Sequence, residues 1–173
     1  MSWATELSPS SLPVSVADAA RKSLYNYIGC TIGGSSHPTV TKAHAALSPM
    51  FGAPAATIFG RGKGPHADIQ HACLLNGIAS HVHDYDDTHL ATIIHPTGPV
   101  ASAALAYAER NGGVAGPELL CAVVAGIEAS CKLGLAVWPE HYDIGWVRES
   151  AVLSIKKAVL IMVSSTSPAL RAA

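Results

Sequence analysis

The stretch from Pro117 to about Val137 restricts the fold more than any other. Leu119, Leu120, Ala122, Val123, Val124, Ile127 and Leu133 spread apolar side chains around nearly the whole helical turn. A helix of that kind has to be wrapped by others, so the chain is expected to be a helical assembly with this element buried at its centre. Glu128 and Lys132, four residues apart within it, read as an intrahelical pair. The rest of the 173 residues agrees: 49% are hydrophobic and only 13% charged, against roughly 25% charged in an ordinary soluble domain. So little charge implies that part of the surface is normally covered, by a partner subunit or by further chain. A net charge of -1 removes any electrostatic case for nucleic acid or an anionic membrane as partner.

The other elements follow from punctuation and period. Met1 to Leu7 reads as a short helix, cut off by Ser8-Pro9-Ser10-Ser11-Leu12-Pro13. Ser15 is the expected N-cap of a helix carrying Val16, Ala19, Ala20, Leu24, Tyr27, Ile28 and Thr31 on helical spacing, and Gly33-Gly34 ends it. A second helix runs from Pro38 to Leu47 and stops at Ser48-Pro49. Ala56-Thr57-Ile58-Phe59 is the one convincing strand. Gly60-Arg61-Gly62-Lys63-Gly64-Pro65 is a turn whose glycines and cations admit a phosphate-loop reading, but its spacing fits neither established phosphate fingerprint. A third helix is expected from near Pro65 to at least Tyr85, and a fourth from Pro96 to Asn111-Gly112-Gly113. The predicted class is all-α, bundle-like, with at most one or two short strands.

Cys30, Cys73, Cys121 and Cys131 form no C-x-x-C pair and read as buried free thiols. The N-terminus shows no basic segment followed by an apolar run, and no apolar stretch reaches about 18 residues uninterrupted. A secretory signal and a spanning helix are therefore not expected; a cytoplasmic or mitochondrial location is.

Against this background, His81-Val82-His83-Asp84-Tyr85-Asp86-Asp87-Thr88-His89 packs three histidines, three aspartates and a threonine into nine residues. On a continuous helix, Leu74, Ile78, His81, Tyr85 and Thr88 share a face that Asp84 joins, while Asp86 and Asp87 point toward the helix end or solvent. Three readings compete. In the first, a histidine is an acid/base group, Asp84 orients it or takes a proton, and the helix start after His95 offers unpaired N–H groups to an anion, with a hydroxyl from Thr97 and a bare amide from Gly98. In the second, the His83-Asp84 doublet belongs to a metal-dependent hydrolase, although His81, His83 and His89 do not share one helix face. In the third, the segment is a solvated helix end with satisfied histidines.

Leu75-Asn76-Gly77-Ile78-Ala79-Ser80-His81-Val82-His83-Asp84-Tyr85-Asp86-Asp87-Thr88, followed by His95-Pro96-Thr97-Gly98-Pro99-Val100, resembles the signature of the MmgE/PrpD family. Ala20-Arg21-Lys22, Tyr27-Ile28-Gly29-Cys30, Ala125-Gly126-Ile127-Glu128 and Leu133-Gly134 resemble it too. The resemblance implies a dehydratase, decarboxylase or epimerase of small polycarboxylates that moves a proton next to a carboxylate, with neither metal nor organic cofactor. It implies a large helical domain, a smaller α/β lid domain and a homodimer. Residue by residue, it implies His95 as acid/base, Asp84 as its carboxylate partner or a substrate contact, and Thr88 as a substrate hydrogen-bonder.

Two departures bear on this. Asn26 stands where the family usually has Asp. After Gly145-Trp146 the family continues Trp-His, whereas Val147-Arg148-Glu149-Ser150 follows here. The expectation is therefore a partial helical domain over residues 1–146, a divergent tail over 147–173, and an incomplete copy with reduced or no activity. The alternative is a non-catalytic remnant that pairs with a full-length paralogue.

Overall fold

The computed structural model describes residues 7–143, so the expected divergent tail and most of the expected opening helix lie outside the described residues. The elements are α1 Val14–Gly34, α2 Pro38–Leu47, α3 Ile69–His81, α4 Thr97–Arg110, α5 Gly116–Val137 and a single turn, α6, Glu140–Asp143. A short 3-10 turn, Ser48–Met50, follows α2. The all-α class holds: among the described residues the only β pairing is two isolated bridges, Ala56 with Ala67 and His89 with Ile94.

The core divides along α4. One side of this helix puts Ala103 and Ala106 against Ala72, Cys73 and Leu75 of α3, together with Ala56, Ile58 and Ala67. The other side puts Val100, Ala104 and Ala108 against Ala122 and Val123 of α5, with Leu24 of α1 packed on them. The centre of the fold is thus α4 rather than the more apolar α5. Small side chains permit this, because α4 carries five buried alanines and can be approached from both sides. Cys121 to Gly126 of α5 are buried, but its last turn exposes Leu135 and Val137. By length and composition alone, α5 could cross a bilayer, with 22 residues and a mean hydropathy of 1.8. The sequence expectation overlooked this. A core helix meets the same criteria, and here the apolar stretch is packed on α4.

Close backbone approach ties α1 to α3. A Cβ on Gly34 would sit 2.1 Å from the carbonyl oxygen of Ala79, so only glycine fits. Tyr27 of α1, almost fully buried, shares a 2.8 Å hydrogen bond with the Ser102 hydroxyl of α4. Burial pushes its phenol well above the ordinary tyrosine range.

Several expectations are corrected. Pro13, not Ser15, occupies the cap position of α1, and no side chain caps it. Ala56–Phe59 is not a strand. Ala56 pairs through its backbone with Ala67, and beyond it side chains meet the amides: Thr57 N–H donates to Glu109, Ile58 N–H to the His66 ring and Phe59 N–H to Asn76, while the Asn76 amide donates back to the Thr57 carbonyl. A segment whose donors and acceptors are met in this way needs no neighbouring strand. α3 begins at Ile69, because the Asp68 carboxylate accepts from the Gln70 and His71 amides, and it ends at His81 instead of reaching Tyr85. Residues 60–65 do form a turn, with Gly60, Gly62 and Gly64 all at positive φ. An open hollow of about 370 Å³ beside it is lined by Ser35, Ser36, Thr41, Gly60 and Arg61.

Candidate functional site

The polar segment leaves the helix at Val82 and becomes a loop, closed by its own hydrogen bonds, between α3 and α4. Asp84 N–H donates to the His81 carbonyl, and Asp84 itself takes φ +56. Aspartate tolerates this left-handed region better than most residues. Further on, His89 organises the turn: its carbonyl accepts from the Thr92 and Ile93 amides, its N–H reaches Ile94, and its ring meets the Thr92 hydroxyl at 2.7 Å. Thr92 is buried against α5, where a Cβ on Gly134 would lie 3.3 Å from it. From α1, the Asn26 amide donates to the Tyr85 carbonyl at 3.0 Å. The residue that departs from the family pattern therefore anchors this loop.

Leaving the helix early changes which carboxylate faces inward. Asp84 was expected on the buried stripe, but its side chain is 76% exposed. Asp86, expected toward the helix end or solvent, has a side chain only 3% exposed. Its carboxylate lies 3.0 and 3.1 Å from His81 Nδ1 and 3.6 Å from His95 Nδ1. The His81 and His95 rings meet edge to face at 4.7 Å. Asp86 is therefore the buried carboxylate shared by two imidazoles, a role that sequence spacing did not assign to it.

Three of the expected residues do come together. Asp84 Oδ1 lies 3.7 Å from His95 Nε2, and Thr88 Oγ1 lies 3.5 Å from His95 Nδ1. A carboxylate thus faces each ring nitrogen of His95, one buried and one exposed. Thr97 and Gly98 differ from expectation. Both are buried, and Asp87 already holds the start of α4: it accepts from the Thr97 amide at 3.3 Å and the Thr97 hydroxyl at 2.6 Å. The Thr97 hydroxyl foreseen as a ligand for an anion is used, together with the Thr97 amide, by the protein's own carboxylate. Gly98 instead provides clearance, since a Cβ there would lie 2.9 Å from the Ser80 hydroxyl.

Burial raises the Asp87 carboxyl above its ordinary range, against the lowering effect of the two Thr97 donors. Burial likewise raises the thiols of Cys30 and Cys131, the latter to about 11, with Asp87 adding to both. Neither thiol is an activated nucleophile at neutral pH. All four cysteines are free, as expected, but only Cys73 and Cys121 are buried; Cys30 and Cys131 are partly exposed. The donor atoms of His81, Asp84, Asp86 and His95 all lie within 4.8 Å of one another, so among the described residues these four form a group that could hold a metal ion.

The model of the MmgE/PrpD N-terminal domain matches residues 1–165. The chain belongs to the MmgE/PrpD family. A cis-aconitate decarboxylase-like protein of Aspergillus oryzae is 31% identical over an alignment of 153 residues that covers 83% of this chain. The chain spans 31% of that relative's length. Within this MmgE/PrpD domain, the segments that carried the resemblance run from Leu75 in α3 to Val100 in α4 and include the loop that gathers Asp84, Asp86, Thr88 and His95. His83 stays outside the group; its ring meets His37 and Tyr85.

Proposed function

We propose that this chain carries a proton-transfer site of the lyase and isomerase type, directed at a carbon next to a carboxylate of a small polycarboxylate. One observation supports the reading best: the His95 ring lies between Asp86 at Nδ1 and Asp84 at Nε2, with the Thr88 hydroxyl beside it. With Nδ1 turned toward buried Asp86, the ring keeps its proton there and presents the Nε2 lone pair on the open side. That lone pair takes the substrate proton. The imidazolium that results is stabilised by Asp86, and Thr88 donates to a substrate oxygen. The separations exceed ordinary hydrogen-bond lengths, as is common before substrate tightens such a site.

The resemblance to decarboxylases, dehydratases and epimerases fits this step, since each begins or ends with a proton moved beside a carboxylate. Overall turnover by this chain is expected to be low or absent. The resemblance implies a second histidine directly after Trp146, where Val147 stands, and such groups share in stabilising the transition state. The first step can still be observed alone. In D2O, wild type should exchange a carbon-bound proton of cis-aconitate, citrate or a related polycarboxylate, followed by NMR. His95→Ala should slow that exchange at least tenfold. Exchange no faster than in buffer, or exchange indifferent to His95→Ala, would sink the proposal.

A further inference from the structure

His95 and the three donor residues around it have a second chemistry available to them. Two imidazoles and two carboxylates are the ligand types that divalent first-row transition ions accept, and they are poorly matched to magnesium or calcium. Their donor atoms lie within 4.8 Å of one another. Bonds of about 2.1 Å place opposite ligands of an octahedral ion about 4.2 Å apart, so the widest pair has to close by only about half an ångström.

The group is built so that it can close. Asp86 and His95 are the fixed half, their side chains 3% and 25% exposed. Asp84 and His81 are the adjustable half, at 76% and 53%. Asp84 and His81 lie on the solvent side, so an ion can enter without opening the core. His81 Nδ1 would exchange its hydrogen bond to Asp86 for a bond to the ion.

We propose that His81, Asp84, Asp86 and His95 bind one divalent first-row transition ion per chain, and that the ion inhibits by occupying the His95 lone pair. The inhibitory half rests on the proton-transfer reading above; the binding half does not. An imidazole nitrogen that holds a metal cannot also accept a proton, so ion and reaction compete for one atom. His81 separates the two uses, because the proton-transfer step as derived does not employ it.

The test uses the full chain without a histidine tag. Zinc is titrated by calorimetry, and cobalt is followed by its visible absorption. One ion should bind per chain, and His81→Gln and Asp86→Asn should each weaken binding at least tenfold. Circular dichroism checks that both variants fold; His81→Gln, at a half-exposed position, decides the matter if Asp86→Asn does not. In the deuterium-exchange assay, zinc should suppress exchange by wild type, and His81→Gln should need at least tenfold more zinc for the same effect. No stoichiometric binding, or binding that both substitutions leave unchanged, overturns the proposal. Zinc bound through His81 and Asp86 without exchange in any variant supports the binding half and overturns the proton-transfer reading. Exchange that bound zinc fails to suppress overturns the inhibitory half alone.

Discussion

Helix α3 has an aspartate–histidine pair at each end, and the two pairs serve different ends. At the N-terminus, Asp68 meets the His71 ring at 2.6 Å and also accepts from the amides of Gly52, Gln70 and His71. That carboxylate is saturated. It caps the helix and ties the segment after the 3-10 turn to it. At the C-terminus, buried Asp86 has one close partner, His81, and a looser one, His95. The first pair has spent its hydrogen-bonding capacity on structure, whereas the second retains some for a ligand. Residue type and spacing look alike; what differs is how many backbone N–H groups are within reach. A helix N-terminus presents unpaired amides that fill a carboxylate, and a C-terminus presents carbonyls that cannot.

The largest expected difference between the ends is functional. His95→Ala should lower any full turnover the chain supports by about 10²- to 10⁴-fold, the usual share of a positioned acid/base group. His71→Ala should leave it within a few-fold. Steady-state rates on one polycarboxylate check both, and equal losses would erase the distinction.

Next in size is stability. Asp68→Ala removes a cap and leaves the Gly52 amide without its partner, which should cost about 1–3 kcal/mol. Urea denaturation measures it. Asp86→Asn should cost less than about 1 kcal/mol, because a buried charge with few partners contributes little net stability. The reverse order would mean that Asp86 is the structural residue of the two.

The acid limb of the stability curve should separate the ends more finely. Burial pushes Asp68 upward, but the Gly52 hydrogen bond and those of the His71 ring and amide outweigh it and hold the carboxyl well below the ordinary range. A lowered folded-state pKa gives stability that is complete above about pH 4 and lost as the pH falls below it. Melting temperature should therefore drop less steeply on acidification in Asp68→Asn than in wild type. Asp87, beside the second pair, is raised by burial. Its sign is opposite: it costs stability near neutrality, and that cost is relieved as the pH falls. Asp87→Asn should steepen the acid limb slightly, though turning one of the two acceptor oxygens that face Thr97 into a donor also lowers the whole curve.

The smallest effect is chemical. Burial holds the Cys73 thiol, on the core side of α3 between the two pairs, at about 11. It should react with a disulfide reagent at pH 7 more slowly than an unstructured cysteine, and urea should abolish the difference.

Helix existence was legible in the sequence. α2 spans Pro38 to Leu47 as proline and Ser-Pro punctuation required, and α5 runs almost from Pro117 to Val137. The Glu128–Lys132 pair, at 3.5 Å, is where a four-residue step put it. These features depend on neighbours along one helix, which a linear pattern encodes. The end of α3 was not legible. Period alone carried it on to Tyr85, but Asp86 turns back to His81 and His95 while Asp87 reaches Thr97, ten residues on. Partners contributed by another element overrode the local pattern.

The candidate site divides in the same way. By itself, the sequence determined that the chain is helical, that its chemistry-bearing side chains crowd between His81 and His95, and which family's motif they form. Only the tertiary structure decided which aspartate is buried, that Asp87 rather than a ligand occupies the start of α4, and that His81 and His95 share Asp86. The physical reason is that burial and hydrogen-bond saturation depend on what other elements bring to a residue. Those partners come from α4 and the folded-back loop, and no spacing along the chain announces them.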